Sequence, residues 1–113
     1  MATNALLNLP KTGNDWSFWS FNNRLEIERI RQAIYTQSNG VTSLFEYQLD
    51  PIDFNDVTNW IARNQQAHDD FNQALGLNGV DLEGVDFTDQ KQLQAWIYLV
   101  WQEIQTAQQQ LGI

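Results

Sequence analysis

The side chains able to do chemistry in this chain are few. There is one histidine, His68, and there is no cysteine. His68 has Asn64 one turn before it and Asp69 beside it, on what reads as the apolar face of a helix. A histidine so placed is expected to be a hydrogen-bonded core or interface residue rather than a general base. A serine nucleophile would need its own histidine and acid, and no nucleophile-elbow pattern occurs. Carboxylates are more numerous. Asp69 with Asp70, and Asp53 with Asp56, form pairs, but acid–base work needs a pocket that pulls two pKa values apart. No such device is visible, and neither is a Gly-rich phosphate cradle. Asp81, Glu83, Asp86 and Asp89 cluster without the Asp-x-Asp-x-Asp-Gly order of a calcium loop. Asp86 and Asp89 have the spacing of a helix cap instead. The residues therefore predict no enzyme, no cofactor and no metal.

Charge is unevenly spread. Of the net −8, residues 1–45 carry +1, residues 46–91 carry −8, and residues 92–113 add only Glu103. An acidic middle argues against direct nucleic-acid binding, which needs clustered Lys and Arg to meet phosphate. It reads as a solvated face, or as a docking face for a basic partner or a nucleic-acid mimic. No apolar run approaches the roughly 20 residues that cross a bilayer. Met1 to Pro10 lacks the basic start of a secretion signal. The expectation is a soluble protein made in the cytoplasm and without a membrane partner.

The elements that position these residues follow from periodicity. Residues 1–14 read as an irregular arm in which Leu6, Leu7 and Leu9 precede Pro10. Such an arm can fold back on its own domain or grip a neighbour. The domain itself spans 15–113. A first helix is predicted over 15–37, with Asn14 or Asp15 as its cap. Trp16, Trp19, Asn23, Ile27, Ile30 and Ile34 draw one stripe along it, and Phe18, Phe21 and Leu25 widen that stripe towards a second face. Arg24 and Glu28 have the spacing of a one-turn ion pair. Ser38-Asn39-Gly40 ends the helix. Residues 41–52 are β-branched and aromatic and predict an extended crossover stopped by Pro51. A second helix is predicted over 54–75, with Val57, Trp60, Ile61, Asn64, His68, Phe71, Ala74 and Leu75 inward. A third is predicted over 87–111, with Leu93, Trp96, Ile97, Val100, Trp101, Ile104, Ala107 and Leu111 inward.

The second and third helices have parallel grammar. A shift of 36 residues maps Trp60-Ile61 onto Trp96-Ile97 and Leu75-Gly76-Leu77 onto Leu111-Gly112-Ile113. Copying and convergence both account for this. The fold class is all-α: a small three-helix bundle with an irregular N-terminal arm and an extended segment between helices 1 and 2. Five Trp, six Phe and three Tyr exceed what so small a bundle can bury, so aromatic surface is left for a partner. Tyr98 and Leu99 lie off the main stripe of the third helix, making it apolar on more than one side. The expected partner-binding residues are Leu6, Leu7 and Leu9 of the arm with Trp96, Tyr98, Leu99 and Trp101 of that helix.

Three segments carry a family resemblance. They are Tyr47-Gln-Leu-Asp-Pro-Ile52, the run from Gln66 to Gly76 containing His68 and Asn72, and Asp81-Leu-x-x-Val-Asp-Phe87 leading to Gln92-Leu-x-Ala-Trp-Ile97. Over about residues 16–113 the chain resembles small proteins encoded in tailed bacteriophages and prophages beside head and tail genes. The resemblance carries over no catalytic residue. It implies a non-enzymatic structural or assembly protein of the virion, in the head, connector or tail. Its partners would be other phage structural proteins and copies of itself. The alternative is an acidic phage-encoded inhibitor that binds a host protein, acting as a nucleic-acid mimic.

Overall fold

The computed structural model describes residues 4–42, 57–78 and 89–113. Helix α1 spans Gly13–Gln37, α2 Val57–Leu75 and α3 Gln90–Leu111. A single 3-10 turn, Asn4–Leu7, precedes them. No strand occurs among the described residues, and the chain is an all-α three-helix bundle. From residue 43 onward the expected crossover lies outside the described residues. So do Asp53 and Asp56, the proposed cap of α2, and Asp86, the proposed partner in the cap of α3.

Helix α1 starts two residues earlier than the sequence suggests, and its cap is neither Asn14 nor Asp15. Thr12 is the N-cap: its side chain accepts from the Asp15 N–H, and the Asp15 carboxylate accepts from the backbone of Thr12 in return. This reciprocal box satisfies amides that a helix start leaves without partners. Asp15 serves at the third position, which is why it reads as a cap from sequence. In α3 the shift runs the other way, and the helix starts three residues later than the sequence suggests. Asp89 is the N-cap itself, accepting from the Lys91 N–H at 2.9 Å.

The two later helices end alike. Gly76 and Gly112 are left-handed, with φ of 71° and 72°. The N–H of Leu77 reaches Asn72 O at 2.8 Å, and that of Ile113 reaches Gln108 O at 3.0 Å. Each glycine N–H bonds three residues back at 3.2 Å, to Gln73 and Gln109. Both ends are Schellman turns, and the 36-residue shift holds atom for atom. Neighbouring helices complete them. Gln110 donates to Leu75 O at 2.8 Å and Gln37 to Leu111 O at 2.6 Å, satisfying carbonyls that the helices leave over.

The core is centred on three tryptophans. Trp19, Trp60 and Trp96 are fully buried, one from each helix. Trp19 meets Trp60 edge-on at 6.1 Å and Trp96 at 5.4 Å between ring centroids. Ile27, Ile30 and Ile34 of α1, Ile61 and Phe71 of α2, and Ile97, Val100 and Ile104 of α3 extend this core along the bundle. The N-terminal turn closes one end. Leu6 is fully buried, and its carbonyl accepts from Trp19 Nε1 at 3.1 Å. The arm therefore folds back on its own domain at Leu6. One inward assignment shifts. Ala74 is exposed, and the second face that Phe18, Phe21 and Leu25 make on α1 is open to solvent. Arg24 does not pair with Glu28. Its guanidinium lies over the Phe21 ring at 5.7 Å, and Glu28 pairs with Arg31.

Candidate interaction surfaces

The single histidine lies inside the bundle. His68, in the middle of α2, is fully buried, and its Nδ1 lies 2.7 Å from the Glu103 carboxylate on α3. The His68 ring also packs on Phe71 at 5.0 Å. The opposite ring nitrogen, Nε2, is buried and has no hydrogen-bond partner among the described residues. The ring itself is fully buried.

Two more polar pairs share this interior. Asn23 of α1 donates to Asn64 of α2 at 2.6 Å. Gln108 of α3, fully buried, donates to Glu26 of α1, which also lies 3.6 Å from Arg29. Each of the three helix interfaces thus carries one buried polar pair: Asn23–Asn64 between α1 and α2, His68–Glu103 between α2 and α3, and Glu26–Gln108 between α1 and α3. A buried polar group without its partner is costly, so these pairs tie each helix to one rotation and one axial position.

The expected partner-binding residues divide between core and surface. Leu6 and Trp96 are core residues and offer nothing to a partner. Leu9, Leu99 and Trp101 are half-buried, while Leu7 and Tyr98 are exposed. Tyr98 and Trp101 stack at 6.0 Å with 24° between planes, and Gln102 donates to the Tyr98 hydroxyl at 3.3 Å. The stack has an apolar flank in Leu99. An open groove of about 370 Å³ borders it, lined by Asn72, Leu77, Leu99, Trp101 and Thr106 among others. The Trp101 indole N–H is buried and unpaired among the described residues. Among the described residues no three His, Asp or Glu side chains gather as a metal site would need, and no helix there is long and apolar enough to cross a membrane.

A larger aromatic surface was not singled out from the sequence. Phe18 is 61 % exposed, Phe21 50 % and Leu25 43 %. They stand three and four residues apart on the outward side of α1. Their types and spacing were legible, but their direction was not. A stripe that widens a buried face and one that opposes it differ by a rotation that only packing decides. Compared with protein-family models, with curated proteins and with solved structures, the chain matches none.

Proposed function

We propose that this protein acts without catalysis, as a structural or assembly component of a tailed-phage particle. The observation that carries the contact role is the contrast between its interior and its surface. The single histidine is enclosed and held by Glu103. The aromatic residues Phe18, Phe21 and Tyr98 are held open to solvent. Open aromatic faces on a small rigid bundle suit macromolecular contact, where Tyr, Phe and Trp dominate the buried centre. The phage setting rests on the resemblance of the three sequence segments described above. The Tyr98–Trp101 stack with Leu99 is the proposed contact for other particle proteins.

The acidic-inhibitor reading finds less support. Among the described acids of the middle segment, Asp89 is spent on the cap of α3, leaving Asp69 and Asp70 on the α2 surface. The remaining acids of that segment, from Glu46 to Asp56 and from Asp81 to Asp86, lie outside the described residues.

Quantitative mass spectrometry of particles purified from the producing strain tests the proposal. A fixed, symmetry-compatible copy number relative to the major capsid protein is expected. Tyr98→Asp should lower incorporation at unchanged helicity. Abundant protein in the cells with none in particles would overturn the virion assignment.

A further inference from the structure

The exposed face of α1 has a pattern that fits itself. Phe18, Leu25 and Gln32 repeat at seven residues, and Asn14, Phe21 and Glu28 form the interleaved set. Asn14, Phe18, Phe21, Leu25 and Gln32 are all exposed, and Glu28 is half-exposed. They lie opposite the inward stripe of Trp19, Asn23, Ile27 and Ile30. This is the three-and-four spacing of a helix–helix seam, left open along the outside of the bundle.

Charged residues flank the seam. Lys11 and Asp15 lie at its N-terminal end, and Arg24 and Glu28, the latter also paired with Arg31, lie towards the other. At the Lys11 end a groove opens, lined by Leu9, Pro10, Lys11, Asp15, Phe18 and Trp19. At the other end Leu25 projects.

We propose that α1 pairs antiparallel with α1 of a second copy of this chain, about a two-fold axis passing between Phe18 and Phe21. In that register Phe18 faces the partner's Phe21, and the reverse contact is made by symmetry. Leu25 of each copy comes against Asn14 of the other, at the mouth of the groove beside Leu9 and Pro10. Lys11 of each copy comes opposite Glu28 of the other, so two ion pairs close the ends. Two alternatives are disfavoured. A parallel pairing sets Arg24 beside Arg24 and Lys11 beside Lys11. Sliding the antiparallel pair by one heptad sets Phe18 on Glu28 and brings the two Arg24 side chains together. Like charges in a seam oppose association, which selects the register.

The open area sets the size of the contact. A Phe side chain carries about 200 Å², so Phe18 and Phe21 leave roughly 200 Å² of ring open per copy. With Leu25 and the flanking polar residues, the contact lies near the low end of specific interfaces, about 1,200 Å² in total. Area alone does not fix affinity, and with only two aromatic anchors per copy the dimer is expected to be weak, with a dissociation constant on the order of 10 µM. The pairing concerns a different surface from the Tyr98–Trp101 contact, and it stands whether or not the protein belongs to a particle.

Sedimentation equilibrium of the full chain, from about 1 to about 500 µM, brackets that constant. The wild-type chain is expected to dimerise, with no higher species. Leu25→Asp should raise the dissociation constant at least about tenfold. Its residue is already half exposed, so far-UV circular dichroism and the melting curve should stay as in the wild type. The register is read by charge exchange. Lys11→Glu and Glu28→Lys should each weaken the dimer, and the double exchange should restore it. A chain that stays monomeric throughout overturns the proposal, as does a dimer that survives Leu25→Asp. Failure of the double exchange to restore pairing overturns the register.

Discussion

Removing the carboxylate from the His68–Glu103 pair is the sharpest test of how this bundle is held. His68 is fully buried and Glu103 is 9 % exposed, with 2.7 Å between Nδ1 and the carboxylate oxygen. Glu103→Ala leaves the imidazole enclosed with no acceptor for Nδ1 and opens space where the side chain lay. An unsatisfied buried partner costs about 1–3 kcal/mol, and the space left by the truncated side chain adds a cavity cost. We expect a loss of about 3 kcal/mol, a large share of the 5–15 kcal/mol typical of a domain this size. Glu103→Gln keeps a carbonyl acceptor of the same reach and should lose about 1 kcal/mol or less. The double substitution His68→Leu with Glu103→Leu removes both polar partners and fills the volume. It should fall within about 1 kcal/mol of the wild type. Urea denaturation followed by tryptophan fluorescence and far-UV circular dichroism reads these differences. A loss of 3 kcal/mol moves the midpoint by roughly 2 M at an ordinary slope. If Glu103→Ala and Glu103→Gln lose the same amount, the bond contributes nothing and the reasoning fails. If the double variant is the least stable of the set, the pair stabilises the fold outright and does not merely demand satisfaction.

Three further outcomes follow from the fold. Leu6→Ala should cost about 2–4 kcal/mol in the same urea assay, because a fully buried leucine leaves a cavity when truncated; a loss under about 0.5 kcal/mol would mean the N-terminal turn only rests on the bundle. Gly76→Ala should cost about 1 kcal/mol, since φ is 71° and no atom lies within 4 Å to clash with a new Cβ. Gly76→Asn should cost less than Gly76→Ala in thermal melts, and the reverse order would show that something other than backbone conformation governs the site. Thr12→Ala should lower stability by about 1 kcal/mol while Thr12→Ser leaves it nearly unchanged; equal losses in both would rule out the hydroxyl as the cap.

The helices were legible in the sequence because each carries a dense apolar stripe and ends at glycine or at Asn-Gly. The Leu-Gly-apolar endings of α2 and α3 placed both Schellman turns correctly, since so few backbones other than glycine reach that conformation without strain. The helix starts were displaced by two or three residues where a capping residue and its third-position partner are both polar. Thr12 and Asp15 make one device, and Asp15 alone looks like the cap. What sequence could not supply is the third dimension of the polar residues. Glu103 falls in step with Trp96, Val100 and Ala107, and Glu26 with Trp19, Asn23 and Ile30, so each sits on a stripe it does not resemble chemically. That periodic misfit was a readable sign of a buried polar side chain. Its partner was not readable, because His68 and Glu103, or Glu26 and Gln108, are joined only when two helices take one rotation and one offset.

The same limit explains the candidate surfaces. Five tryptophans in a short chain signalled an excess of aromatic area, and the excess exists, but the chain does not spend it where hydrophobicity is densest. Trp96 and Leu6, in the most apolar local contexts, are core residues. Phe18 and Phe21 sit next to Trp16 and Trp19 in sequence and point the other way. Adjacent aromatics on a helix lie about 100° apart, so a cluster of them cannot all face one core. Once Trp19 is fixed by Leu6, Trp60 and Trp96, the rotation of α1 is set and Phe18, Phe21 and Leu25 must look outward. The exposed seam follows from how the core is locked. A substitution that loosens the Trp19 contacts, such as Trp19→Ala, should therefore weaken self-association as well as stability, although Trp19 faces the opposite side of the helix. Sedimentation of that variant under conditions where it is still folded checks the link. Unchanged dimerisation would separate the seam from the core and refute the coupling.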